Sequence, residues 1–129
     1  MTNQNKSRKS RSWAESFNYA FTGIRAAAAR ERNFRIQIFL GIAAVIACII
    51  FQVDAWHFVL VAFAIFFVLA MELMNTAVEA IVDLVTGGKP HKLAKIAKDA
   101  AAGAVLLAAA FALVVAAVVA TAVIRRFLT

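Results

Sequence analysis

Residues 58–83 read FVLVAFAIFFVLAMELMNTAVEAIVD, and the order of residue types in this stretch decides the fold. The apolar run 58–71 covers only about 21 Å at 1.5 Å per residue, short of a hydrocarbon layer of about 30 Å. A helix that crosses the layer must therefore continue through Glu72 to around residue 77 or beyond, carrying polar groups at membrane depth. At 100° per residue Glu72, Asn75, Thr76, Glu79 and Asp83 fall at about 0°, −60°, 40°, −20° and 20°, on one face, with the opposite side apolar. A carboxylate at that depth costs about 2.5 kcal/mol or more on insertion scales. Asn75 and Thr76 alone read as groups that seal a helix bundle by hydrogen bonds. Three carboxylates on the same stripe repel one another unless a cation, a proton or a basic partner sits among them, and this points to a functional site.

The remainder of the chain frames that helix. Its 129 residues are 64% hydrophobic and 16% charged, where a soluble domain is nearer half and a quarter. The composition describes one small integral membrane unit, domain 1–129, and excludes a multidomain enzyme. A single cysteine excludes an intramolecular disulfide framework and a cysteine-cluster zinc site. Residues 36–53 form a nearly unbroken apolar run of about 27 Å, and residues 100–124 form the third. Spans are expected at about 34–53, 57–85 and 97–124. Residues 1–12 are polar and basic, a flexible tail. Over 13–31, Trp13, Phe17, Phe21, Ile24 and Ala28 recur at helical steps, which predicts an amphipathic helix lying in the membrane interface; the other reading is a soluble amphipathic helix packed on a partner. The expected fold is all-α integral membrane: an N-terminal interfacial helix and three transmembrane helices.

The net charge of +7 is distributed by position: eight Lys and Arg precede the first span, four lie between the second and third, and two follow the last. This is the positive-inside pattern rather than a nucleic-acid footprint. It places the N-terminus and the 87–98 loop in the cytoplasm, and the Asp54 turn and C-terminus outside. Gly87, Gly88 and Pro90 mark that loop as a true break.

Beyond the loop, His91, Lys95 and Lys98 follow at spacings of four and three, with Asp99 next. Lys92 and Lys95 read as snorkelling anchors. Lys98 and Asp99 stand where the apolar run begins, and a carboxylate stripe facing a lysine near the headgroups is what a magnesium-bound polyphosphate requires. Counted along an unbroken helix, Glu31 lies about five turns from Trp13, on its apolar stripe. It either joins Glu79 on one metal or pairs with Arg30, Arg32 or Arg35. Phosphate-loop motifs are absent: Pro90 follows Gly88-Lys89 and Asp83 replaces the first glycine, so nucleotide use needs another architecture. Ala100, Ala104, Ala108, Ala112, Ala116 and Ala120 make an every-fourth stripe for close helix packing. Cys48 and His57 read as a buried thiol and an outer polar residue without catalytic roles. A proton-coupled transporter subunit is the reading from a different class; Lys98-Asp99 and the carboxylate stripe argue against it.

The stretches Ser16-Phe17-Asn18-Tyr19-Ala20-Phe21-Thr22-Gly23-Ile24, Glu31-Arg32-Asn33-Phe34-Arg35-Ile36, Glu72-Leu73-Met74-Asn75-Thr76-Ala77-Val78-Glu79 with Asp83, and Ala94-Lys95-Ile96-Ala97-Lys98-Asp99 through Val105 resemble the prokaryotic diacylglycerol kinase and undecaprenol kinase family. The resemblance implies an ATP- and Mg2+-dependent lipid kinase of the bacterial cell membrane. It also implies a homotrimer with active sites shared between protomers. Carried over by position, Glu72 is the general base and contacts the lipid alcohol with Arg25. Glu31 and Glu79 hold Mg2+ and, with Tyr19, Lys98 and Asp99, bind ATP; Asn75, Thr76 and Asp83 support the site. The Lys89-Pro90-His91 loop departs from the diacylglycerol kinases, and the Glu-Arg-Asn-Phe-Arg and Ala-Lys-Ile-Ala-Lys-Asp stretches look more like undecaprenol kinases. The expected acceptor is undecaprenol, with diacylglycerol as the alternative.

Overall fold

The computed structural model describes residues 12–128, so the tail expected over 1–12 lies, apart from Ser12, outside the described residues. Four helices follow in order: α1 (Trp13–Arg30), α2 (Arg32–Ile50), α3 (Ala55–Thr86) and α4 (Lys92–Leu128). The last three are long and apolar enough to cross a membrane. At 1.5 Å per residue α3 and α4 extend about 48 and 55 Å, so both project beyond a hydrocarbon layer of about 30 Å.

Most of the helix ends have a chemical cause. Ser12 caps α1 through a capping box: Glu15 N donates to Ser12 Oγ at 3.2 Å, and Ser12 N donates to Glu15 Oε2 at 2.9 Å. The chain then leaves helical geometry at Glu31 (φ −102°, ψ 113°). This corrects the unbroken count from Trp13: Glu31 closes α1 and opens α2 rather than lying on the α1 stripe. No glycine or proline makes the bend. Arg35 stabilises it instead, its Nη1 donating to the Ala28 and Ala29 carbonyls at 2.9 and 3.4 Å, where the last turn of α1 has acceptors without helical partners. Ala27 and Phe34, each 2% exposed, are buried on either side of the bend.

At the opposite end of the bundle α2 closes with a Schellman arrangement in which Val53 N donates to Cys48 O at 3.0 Å. Gln52 takes the left-handed position usually given to glycine, at φ 50°. Arg126, near the end of α4, donates to the Phe51 and Gln52 carbonyls at 2.5 and 2.9 Å and so fastens this turn from a distance of 74 residues. Asp54 caps α3, its Oδ1 accepting from the Trp56 and His57 amides at 3.1 and 3.2 Å. Gly87, left-handed at φ 59°, ends α3. The His91 ring opens α4 by accepting from Leu93 N at 3.2 Å.

Helix α3 is central, packing against both α2 and, most extensively, α4. Val61, Ala64, Cys48, Val115 and Val119 form the core near the α2–α3 turn. Phe63, Phe67 and Phe111 interlock between α3 and α4 with centroids 6.0–6.1 Å apart. At Gly41 the helices approach so closely that a Cβ would stand 2.9 Å from Ile65 Cγ2. Within one protomer the alanine stripe of α4 is divided: Ala108 is wholly buried, whereas Ala100, Ala116 and Ala120 are exposed. The buried line instead runs Ala108, Val115, Val119, steps of seven and four that keep one face on α3.

Candidate functional site

The face of α3 that buries Val61, Ala64 and Val68 continues into the polar stripe. Glu72, four residues past Val68, is 5% exposed and is the only buried charged residue among the described residues. Thr76 Oγ1 donates to the Glu72 carbonyl at 3.0 Å, satisfying itself on the backbone one turn back. Asn75 Nδ2 donates to Glu79 Oε1 at 3.1 Å and orients that carboxylate. Asn75 Oδ1 is buried without a partner, an acceptor left open inside the stripe.

The α3–α4 register sets what faces these groups. Asp83 meets Lys98 at one end, and Val61 and Ala64 meet Val115 and Val119 at the other. Counting between these points along antiparallel helices puts Glu72 at the level of Ala108 and Glu79 at the level of Ala101. Alanine side chains fill little of the space in front of the carboxylates. Glu31 and Glu79 are the two charged groups whose fields reach Glu72. Among the described residues no ion pair joins Glu31 to Arg30, Arg32 or Arg35.

A second group lies closer to the α3–α4 loop, in a cleft of about 560 Å³. Lys98 Nζ donates to Asp83 Oδ1 at 2.6 Å across the two helices, and the Glu79 charge also bears on Lys98. Asp99 is paired with Lys95 one turn away. Lys98 and Asp99 are neighbours in sequence but belong to separate ion pairs. Lys95, taken as a membrane anchor, has an acidic partner; the i,i+4 spacing was the signal for it.

The structure therefore draws together Glu72, Glu79, Glu31, Asn75 and Thr76 in one group and Asp83, Lys98 and Asp99 in an adjoining one. It does not bring the two α1 residues to them. Tyr19 and Arg25 are exposed and stand about 18 and 9 Å up α1 from Glu31. Among the described residues no three Asp, Glu, His or Cys converge as a ready metal cage. Magnesium on a phosphate chain needs only one or two protein carboxylates, and the open Asn75 Oδ1 between Glu72 and Glu79 adds an oxygen donor. The donor set fits such a group.

Comparison with known proteins identifies the family. Residues 18–120, which contain every residue named above as a site candidate, match the family described as prokaryotic diacylglycerol kinase. A diacylglycerol kinase of Synechocystis sp. is 48% identical over 100 residues, covering 78% of this chain and 57% of that protein's length. The undecaprenol kinase of Bacillus subtilis is 38% identical over 101 residues, 78% of this chain and 81% of its own. A diacylglycerol kinase of Escherichia coli is 40% identical over 91 residues, 70% and 73% respectively. The chain belongs to the prokaryotic diacylglycerol kinase family, a family of membrane lipid kinases.

Proposed function

We propose that the protein transfers the γ-phosphoryl group of ATP to the primary hydroxyl of a membrane lipid alcohol. The observation that carries this reading is the burial of Glu72 on a helix otherwise built to cross a membrane, with two further carboxylates, Glu31 and Glu79, close enough for their charges to reach it. A lipid alcohol carries its hydroxyl at the interface, so a base must stand at the edge of the apolar layer. The nucleotide stays on the wet side, toward the α3–α4 loop.

In the reaction Glu72 takes the hydroxyl proton as the lipid oxygen bonds to the γ-phosphorus and the bond to the ADP oxygen breaks. Lys98 meets phosphate oxygens, and Asp83 holds that lysine in place. Glu31 and Glu79 would hold Mg2+, which supplies neutralisation of phosphate charge when bound. Asn75 fixes Glu79 and Thr76 braces the helix at Glu72. Arg25 serves the lipid substrate, and Tyr19 and Asp99 the nucleotide. The distance from Tyr19 to Glu31 along α1 supports an assembly in which α1 of one protomer completes a neighbour's site, and a homotrimer is our reading. The loop and N-terminus face the cytoplasm of a bacterial cell, where ATP is present.

Undecaprenol is the acceptor favoured by the Glu31–Arg35 and Ala94–Asp99 stretches; diacylglycerol is the second reading, favoured by the 48% identity to a diacylglycerol kinase. Purified protein in detergent with labelled ATP, Mg2+ and both lipids tests the proposal. Labelled undecaprenyl phosphate in excess over phosphatidic acid is expected, and no labelled lipid at all would remove the kinase reading.

A further inference from the structure

Lys98 and Asp99 stand side by side in the chain, yet each is held by a different residue. Lys98 is bound across the helix crossing by Asp83, and Asp99 is bound along its own helix by Lys95. Both pairs line the cleft under the α3–α4 loop, where four lysines meet two aspartates. A polyphosphate drawn to Lys98 would find the Asp99 carboxylate one residue away, and a bare carboxylate there opposes the attraction. The Lys95 ammonium neutralises it from the far side. The side chains of this pair are 77% and 62% exposed, and exposed pairs at this spacing add little to helix stability. Lys89 and Lys92, in contrast, have no carboxylate partner among the described residues and suit contact with headgroups.

We propose that Lys95 is a positioning residue for the nucleotide: it fixes and neutralises Asp99 so that the phosphate chain meets Lys98 without an opposing charge beside it. The inference rests on the reading of Lys98 as a phosphate ligand, with Asp99 serving the nucleotide away from the phosphate chain. It gives Lys95 a role distinct from that of a membrane anchor.

The test uses the full chain in detergent, with binding of a non-hydrolysable ATP analogue plus Mg2+ measured by equilibrium dialysis beside steady-state kinetics. In Lys95→Met the analogue Kd and the KM for MgATP are expected to rise roughly three- to tenfold, with kcat and the lipid KM unchanged. Lys95→Arg should restore most of the loss, and Lys95→Met placed on Asp99→Asn should add nothing further. An unchanged analogue Kd in Lys95→Met overturns the proposal, as do fully additive losses in the double variant. A change in lipid KM alone marks an anchor and also overturns it. Failure of the unaltered protein to transfer phosphate would instead sink the kinase reading before any variant is made.

Discussion

Two halves of one helix face behave in opposite ways. Toward the α2–α3 turn, Val61, Ala64 and Val68 of α3 are buried, the first two against Cys48, Val115 and Val119. Four residues further along the same line stands Glu72, followed by Asn75, Glu79 and Asp83. The azimuth is shared and the chemistry reverses. Apolar burial of about 25 cal/mol per Å² stabilises the first half, while the second carries carboxylates that packing does not favour. Small residues on α4 mirror the division: Val115 and Val119 oppose the apolar half, and alanines oppose the polar one. Cohesion is concentrated in one half of the bundle, which leaves the other free to hold groups selected for chemistry.

That division is open to attack at four points. Glu72→Gln should lower turnover by about 10²- to 10⁴-fold, the range of a lost general base, while size-exclusion gives the same elution as the unaltered protein and the thermal midpoint does not fall. Retained turnover would place the base elsewhere. Gly41→Val should act in the other currency, overpacking Ile65 and costing about 1–3 kcal/mol in denaturant unfolding. Activity per folded molecule should be unchanged; a specific loss of activity would show that the halves are coupled. Lys98→Met should raise the KM for MgATP about tenfold, as expected for a lost charge-assisted contact, with stability held.

The smallest effect is expected at Asp54, far from the stripe. Its hydrogen bond from the His57 ring, 2.5 Å long, holds its carboxyl below the usual carboxylate range. A depressed folded value means stability that is present above the unfolded value and lost as pH falls through the folded one. Asp54→Ala should lower the thermal midpoint slightly at neutral pH and make no difference in strong acid. An equal effect at both pH values would show that the cap acts without its charge.

The polar stripe and the three spans were legible because helical periodicity and membrane thickness together leave few ways to place Glu72. The bend at Glu31 was not. Arg30-Glu31-Arg32 carries no turn residue, and Arg35 and buried Phe34 make the break through tertiary contacts. Ser12 and Glu15 do carry the capping-box spacing in plain view. The pairing of Lys98 with Asp83 rather than with a helix neighbour depends on the α3–α4 register, which local spacing does not encode. Within one protomer the alanine stripe packs only at Ala108, since α4 turns the line Ala108, Val115, Val119 to α3. The roles assigned to Glu31, Glu79, Tyr19 and Arg25 rest on resemblance and on the proposed assembly, and one protomer brings only the first two near Glu72.

The clamp of Arg126 on the Phe51 and Gln52 carbonyls bears on biogenesis. Helices emerge from the ribosome in order, so the α2–α3 hairpin enters the bilayer while those two acceptors still lack their guanidinium. The turn therefore gains this fastening only once the final turns of α4 are made, because the guanidinium lies 74 residues further along the chain.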